Sequence, residues 1–185
     1  MGSGPMRCLR GREELFGLFP ERTTESIAVG VLESSKLPTP TVVESMADDC
    51  GIDPKHLTLL VAPTRSVAGG FRIVARSIET ALHKLHELNQ ENEQLDLNKV
   101  VSAIGTAPLP PSANDDLTAI GRTNDAILFG AEVTLWIDAE DQVLSQLCPQ
   151  IPSSASADYG EPFRAIYERV GGDFYAIDPM LFSPA

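Results

Sequence analysis

The chain has 185 residues, which suits one medium domain or two small ones, and its 43% apolar and 22% charged residues are ordinary for a globular protein. The formal net charge is −12, so the field around the protein repels phosphate backbones and makes nucleic acid a poor partner. There is no cluster of Lys and Arg to attract an anionic membrane surface, and no apolar run of bilayer length.

The three cysteines, Cys8, Cys50 and Cys148, are far apart and odd in number. This spacing favours neither a disulfide framework nor a zinc site, so we interpret them as small apolar residues. The opening residues have no basic and apolar segments typical of a secretory signal. A cytoplasmic location is expected from these features together.

Strands and helices are predicted to alternate along the first half of the chain. The predicted elements are a short helix after Pro5 that continues through Leu15 to Leu18, a strand at Glu25–Leu32, a helix capped by Thr39 with Pro40 at its first position and Gly51 after its end, and a buried strand at His56–Ala62.

The second half begins with one long helix from about Val67 to Leu88. Its other predicted elements are a strand at Val100–Ile104, a proline break at Pro108–Pro111, a helix capped by Ser112 or Asn114 that reaches Phe129, a strand at Glu132–Ile137, short helices at Gln142–Leu147 and Glu161–Val170, and a last strand at Phe174–Ile177. Strands alternating with helices predict an α/β fold, layered in the α+β sense.

The predicted long helix has two chemically different faces. At 100° per residue, an apolar stripe of Val74, Ile78, Leu82 and Leu85 lies opposite a polar face. That polar face collects Arg72, Arg76, Glu79, His83 and His86. Because Arg76 and Glu79 are three residues apart, their side chains can meet, either as a surface ion pair or as part of a site.

The same face offers an alternative reading. Glu79, His83 and His86 lie at positions i, i+4 and i+7, a spacing that could hold a divalent metal in a metal-dependent hydrolase. The pattern lacks the HExxH order of known zinc hydrolases. Solvated histidines are the simpler interpretation, and the roles of His83 and His86 stay open.

The start of the long helix carries a second candidate. Gly69 and Gly70 are poor helix residues, and they make sense if a ligand or another backbone comes close. Thr64 and Ser66, which precede them, could cap the helix and present amide groups to an anion. A simple helix start explains the same residues.

Longer stretches of the sequence resemble the methenyltetrahydromethanopterin cyclohydrolases of methanogens and methylotrophic bacteria. The stretches that carry the resemblance are LLVAPTRSVAGG (59–70), ARSIETALHKLHEL (75–88), GRTNDA (121–126), IDAED (137–141), IPSSASADYG (151–160) and DPMLFSPA (178–185). Their shared order covers essentially the whole chain. The resemblance also implies a partial domain spanning residues 1–185, because family chains have a further N-terminal part and continue past the final stretch.

The resemblance implies a two-domain α/β architecture with a pterin cleft between the domains, here incomplete. It also implies a homotrimer that needs neither a metal nor a redox cofactor. The implied reaction interconverts 5,10-methenyltetrahydromethanopterin plus water with 5-formyltetrahydromethanopterin and a proton, in formaldehyde oxidation or methanogenesis. A non-catalytic pterin-binding or oligomerisation fragment is the alternative from another functional class.

The family's proposed catalytic pair is an arginine and a glutamate three residues later, which correspond to Arg76 and Glu79. Since the methenyl carbon is already a cationic electrophile, a positioned water and a base are sufficient, and Glu79 is our hypothesis for that base. Arg76 would orient Glu79 and keep it ionised. The residues predicted to bind the substrate are Arg72, Thr64, Ser66, Gly69, Gly70, Arg122, Asn124 and Asp125.

Overall fold

The computed structural model describes residues 2–13, 16–17, 24–92, 95 and 97–185, with the side chains of 90–92 excepted. The chain divides into two compact units, Met1–Thr64 and Arg65–Ala185. Helices alternate with strands in both units, which confirms the α/β class. The expected pterin cleft between two family domains stays a prediction.

The first unit is built around a three-stranded sheet. Its elements are β1 (Gly2–Ser3), α1 (Met6–Arg10), β2 (Ala28–Glu33), α2 (Pro40–Cys50) and β3 (Leu57–Ala62). The central strand β2 pairs antiparallel with β1 and parallel with β3. Helix α1 ends at Arg10, where Gly11 adopts a φ of 58°, so the predicted single helix through Leu15 to Leu18 was wrong. Leu15 and Leu18 themselves lie outside the described part of the chain.

The bounds of α2 follow the sequence signals. Pro40 is its first residue, and Gly51 ends it at a φ of 68°, with its N–H donating to the carbonyls of Ala47 and Asp48. Gly51 adopts this left-handed conformation because it has no Cβ to clash. Thr39 has the extended backbone of a cap, but its side chain makes no capping hydrogen bond, so that part of the prediction was wrong.

The second unit combines helices with an antiparallel pair of strands. Its elements are α3 (Val67–Val74), α4 (Ser77–Asn92), β4 (Val100–Thr106), α5 (Asp116–Gly130), β5 (Glu132–Ile137), α6 (Asp141–Leu147) and α7 (Phe163–Arg169). One face of the β4–β5 pair packs against α4. The hydrophobic cluster there has Leu85, Leu88, Leu95 and Leu147 at its centre, with Val100, Leu135 and Ile137 against it.

The predicted helix from Val67 to Leu88 is not continuous, and this prediction was wrong. Helix α3 ends at Val74, and α4 begins at Ser77 and runs to Asn92. At the junction the N–H of Arg76 bonds to the carbonyl of Ile73, an i to i−3 bond that tightens the chain. The predicted polar face assumed one continuous helix, but Arg72 lies in α3, Glu79 lies in α4, and Arg76 lies at the junction between them.

Two further local predictions were wrong. Helix α5 is capped by Asp115, whose Oδ1 accepts from the N–H of Thr118 at 2.8 Å, rather than by Ser112 or Asn114. Phe174–Ala176 forms a 3-10 turn rather than a strand, and its backbone bonds are local. A strand would need a neighbour with free backbone groups.

The last residues of the chain are packed into the second unit. Leu181 is fully buried in a cluster with Leu128, Phe163 and Ile166. The carbonyl of Pro184 accepts from the N–H of Ser153 at 2.9 Å. Among the described residues, no helix combines the length and the apolar content needed to cross a membrane.

Candidate active site

Arg76 and Glu79 form a two-pronged ion pair. Arg76 Nε donates to Glu79 Oε2 at 2.8 Å, and Arg76 Nη2 donates to Glu79 Oε1 at 2.7 Å. The two side chains are 35% and 50% exposed, so a ligand and a water can reach them. Parallel hydrogen bonds fix the plane of the carboxylate as well as its distance, which a single contact does not do.

The break between α3 and α4 gives this pair its setting. Arg76 directly precedes α4, and its carbonyl accepts from the N–H of Thr80 at 2.9 Å and from the Thr80 hydroxyl at 3.0 Å. Glu79 lies in the first turn of α4. The positive end of the helix dipole and the guanidinium of Arg76 both attract a negatively charged group at this position.

The opposite face of α4 anchors the helix. Leu85 is fully buried, which confirms the core side of the predicted stripe, while Ile78 and Leu82 are half-buried. Lys84 is also buried, at 2% exposure, and its Nζ donates to the carbonyl of Pro179 at 3.2 Å. This contact could not be predicted from local sequence patterns, because it joins residues 95 positions apart.

The two histidines do not complete a metal site with Glu79. In the described part of the chain, no three His, Cys, Asp or Glu side chains form a group that could hold a metal ion. The Nδ1 of His83 lies 3.4 Å from Glu87 Oε1, one turn further along the exposed side of α4. The geometry therefore does not favour the metal-dependent alternative.

The start of α3 confirms one predicted cap. Ser66 Oγ accepts from the N–H of Gly69 at 3.0 Å, so this amide serves the helix cap. Gly69 and Gly70 are both buried. A Cβ added to Gly70 would lie 3.7 Å from Thr123 Cγ2 and 3.9 Å from Leu109 Cδ1, which are ordinary contact distances. Close approach of another part of this chain therefore does not explain Gly70, and its role in ligand binding stays a prediction.

Two other predicted binding residues, Thr64 and Arg72, lie before and near the end of α3, respectively. Thr64 is the last residue of the first unit and is half-buried. Arg72 lies in the last turn of α3 and is half-buried as well. Their predicted roles in substrate binding stay predictions.

The predicted residues of α5 have contacts within the fold. Arg122 Nη1 donates to the carbonyl of Ser112 at 2.8 Å and thereby holds the segment that follows the proline break. Asn124 Nδ2 donates to the carbonyl of Ile120, one turn back in the same helix, at 2.8 Å. These bonds are sufficient to account for both side chains structurally, and their binding roles stay predictions.

Asp125 joins α5 to α7. Its Oδ1 accepts from the N–H of Phe163, the first residue of α7, at 2.7 Å. Burial raises the pKa of the Asp125 carboxyl, and this hydrogen bond offsets part of the rise. The residue acts as a remote helix cap, a role that the sequence could not indicate because the two residues are 38 positions apart.

Comparison with known proteins identifies the family. The family model described as Cyclohydrolase (MCH) matches residues 1–185. A relative from Rhodopirellula baltica is 54% identical over the whole chain, and one from Methylobacillus flagellatus is 49% identical over the whole chain. A third, from Methylophilus methylotrophus, is 46% identical over 92% of the chain. All three are named methenyltetrahydromethanopterin cyclohydrolase. The chain belongs to the cyclohydrolase (MCH) family.

The share of each relative that is matched differs. The chain covers 56% of the Rhodopirellula protein and 55% of the Methylobacillus protein, and so spans about half the length of these curated relatives. It covers 94% of the Methylophilus protein. The similarity thus extends across both units and includes the segment with Arg76 and Glu79.

Proposed function

We propose that the protein hydrolyses 5,10-methenyltetrahydromethanopterin to 5-formyltetrahydromethanopterin and a proton, as an enzyme of one-carbon metabolism. The observation that carries the reaction is full-chain similarity to relatives named for it. The observation that carries the residue assignment is the two-pronged pair of Arg76 and Glu79, which is accessible from solvent.

In this proposal Glu79 is the general base. A water held beside its carboxylate attacks the cationic methenyl carbon and forms a C–O bond while its proton passes to Glu79. As the C–N bond breaks, the proton on Glu79 moves to the nitrogen that leaves the carbon, and the hydroxyl on that carbon loses its proton to solvent, which forms the C=O of the formyl group on the other nitrogen. The overall change consumes one water and releases one proton. General-base assistance of this kind contributes about 10²–10⁴-fold to a rate.

Arg76 supports this chemistry in two ways. Its guanidinium fixes the orientation of the Glu79 carboxylate through two hydrogen bonds, and its positive charge favours the ionised base. It also stabilises negative charge that develops on the attacking oxygen. Because the electrophile already carries a positive charge, the reaction requires no Lewis acid, and we propose that the enzyme uses neither a metal nor a redox cofactor.

The proposal extends to substrate contacts, assembly and location. The candidate binding residues remain Arg72, Thr64, Ser66, Gly69, Gly70, Arg122, Asn124 and Asp125. We infer a homotrimer in the cytoplasm with no nucleic-acid partner. The family resemblance supports the trimer, and the net charge of −12 argues against nucleic acid. Light scattering of the purified protein measures the oligomeric state directly.

The test is the loss of the methenyl absorbance of the purified substrate, with protein from the complete reading frame and no added metal. Catalysed hydrolysis well above the spontaneous rate supports the proposal. A folded protein that binds the pterin tightly without accelerating its hydrolysis overturns it, and a non-catalytic binding function then takes its place.

A further inference from the structure

Gly105 in β4 lies directly against the first turn of α4. A Cβ built on Gly105 would lie 2.8 Å from Ile78 Cγ1, 3.0 Å from Ser77 Oγ and 3.4 Å from Val133 Cγ2. The first of these distances is too short for carbon atoms that are not bonded to each other, and the second is tight. Any larger residue at 105 therefore has to displace a neighbour.

Position 105 requires a glycine because there is no space for a side chain, and not because of its backbone conformation. Gly105 is not among the glycines with a positive φ, and it pairs with Val133 in the regular register of the two strands. A glycine inside a strand commonly marks the place where another backbone comes close. Here the approaching element is the start of α4.

The neighbours of Gly105 have little freedom to move aside. Ser77 is buried, at 4% exposure. Ile78 is branched at Cβ, so a helix restricts it to essentially one rotamer, and the contacting Cγ1 is bonded directly to that Cβ. Relief of the contact at 105 consequently requires the first turn of α4 and the strand β4 to move apart.

Ser77 and Ile78 are the two residues between Arg76 and Glu79. The bond from the Thr80 N–H to the Arg76 carbonyl, at 2.9 Å, closes the turn that contains all four. When this turn moves, Arg76 and Glu79 move with it. A misplacement of about 1 Å in a catalytic group costs roughly 10²-fold in rate.

We propose that Gly105 is a positioning residue for the reaction: its bare backbone seats the first turn of α4 and thereby sets where Arg76 and Glu79 meet the substrate. This inference rests on the proposed hydrolysis and adds to it a residue of β4 whose near neighbours are Ile78, Ser77 and Val133 rather than the ion pair. A pure folding role would lower stability without a specific effect on turnover.

The experiment measures kcat, KM and thermal stability for Gly105→Ala, Ile78→Ala and the double variant, in protein from the complete reading frame. We expect Gly105→Ala to lower kcat by about 10–100-fold and to change KM by less than about threefold, since transition-state alignment is lost more than binding. In the double variant the contact with Cγ1 is gone, so its kcat should return to within about threefold of Ile78→Ala alone.

Gly130→Ala is the matched control. A Cβ on Gly130 would also lie 2.8 Å from a neighbouring atom, Pro108 Cγ, but Gly130 is the last residue of α5 and its Cβ would not contact α4. It should lower stability with kcat within about twofold of wild type. Gly105→Ala behaving like this control would overturn the inference. If Gly105→Ala does not fold, the double variant of Gly105→Ala and Ile78→Ala decides the question. A kcat of this double variant at least about tenfold below that of Ile78→Ala would also overturn the inference.

These outcomes are separable from a failure of the proposed function. If the wild-type protein does not hydrolyse the substrate, the proposed function itself is wrong. If the wild type is active and Glu79→Gln matches it, the function stands and the assignment of Glu79 as the base is wrong. If the wild type is active and Glu79→Gln is not, the Gly105 comparison decides the positioning role alone.

Discussion

Arg76 and Glu79 meet at the junction of two helices rather than along the face of one. Arg76 immediately precedes α4, and Glu79 lies in its first turn, where the helix dipole and the guanidinium both act on the carboxylate. Because of this junction, the pair differs from an ordinary ion pair between residues three apart on the surface of one helix. It also means that residues which hold the start of α4 bear on the proposed chemistry.

Replacement of Glu79 by Gln should lower kcat by about 10²–10⁴-fold, because the amide cannot take a proton from the attacking water. The fold should be retained, since Glu79 is half-exposed. Glu87→Gln is the matched control, as Glu87 lies two turns further along α4 and faces His83. Near-normal turnover by the Glu79 variant, measured as loss of methenyl absorbance, would rule out this base.

Replacement of Arg76 by Lys should lower kcat by about tenfold or more, although the charge is kept. An ammonium group cannot make the two parallel bonds that fix the carboxylate plane. The control is Arg164→Lys, which alters the exposed pair of Arg164 and Glu168 on α7. Equal kcat values for the two lysine variants would show that the geometry of the guanidinium is not required.

Asp125 should make stability depend on pH in a defined direction. Its pKa is raised by burial, so its protonated form is favoured in the folded state. Its contribution to the free energy of unfolding is therefore fully present below the ordinary Asp pKa and is lost as the pH rises through the raised value. Asp125→Asn, which keeps an acceptor for the Phe163 N–H, should become more stable than wild type as the pH rises.

Urea unfolding of the two proteins between about pH 4 and about pH 8 measures this difference. Asp125→Ala serves as the comparison, because it removes the cap and should lose about 1 kcal/mol. A difference between Asp125→Asn and wild type that does not change with pH would contradict the assignment of the raised pKa to this carboxyl.

Ser153→Ala should destabilise the protein by about 1–2 kcal/mol. Ser153 is fully buried, and its hydroxyl donates to the carbonyl of Leu128 at 2.5 Å. Its removal leaves that carbonyl near the end of α5 without this donor. The next residue, Ser154, is exposed, so Ser154→Ala should change stability by less than about 0.5 kcal/mol. Similar melting temperatures for the two variants would contradict the prediction.

Removal of divalent metal should leave the rate of hydrolysis unchanged. The carboxylate of Glu79 is engaged by Arg76, and His83 lies beside Glu87, so the proposed mechanism has no step that needs a cation. The measurement compares kcat before and after dialysis against a chelator, with metal content determined on the same samples. Loss of activity that is restored by stoichiometric zinc would instead support the hydrolase reading built on Glu79, His83 and His86.

Local chemistry was enough to predict much of the fold. Pro40 and Gly51 mark the ends of α2, and the alternating residues of Glu132–Ile137 form β5 with the predicted bounds. The contact of Arg76 with Glu79 was predictable for the same reason, because three residues along a helical turn bring side chains together whatever the rest of the chain does. Resemblance to a family then connected this local pair with a reaction.

The tertiary structure decided what depends on residues distant in sequence. Phe174–Ala176 has the composition of a strand, yet it forms a 3-10 turn because its bonds close locally. Asp125 caps α7, and Lys84 reaches Pro179, through contacts across 38 and 95 residues. Sequence alone determined which side chains can meet within one turn, because backbone geometry fixes those distances. Where α4 begins, and what Gly105 leaves room for, depended on packing between elements, which no local pattern encodes.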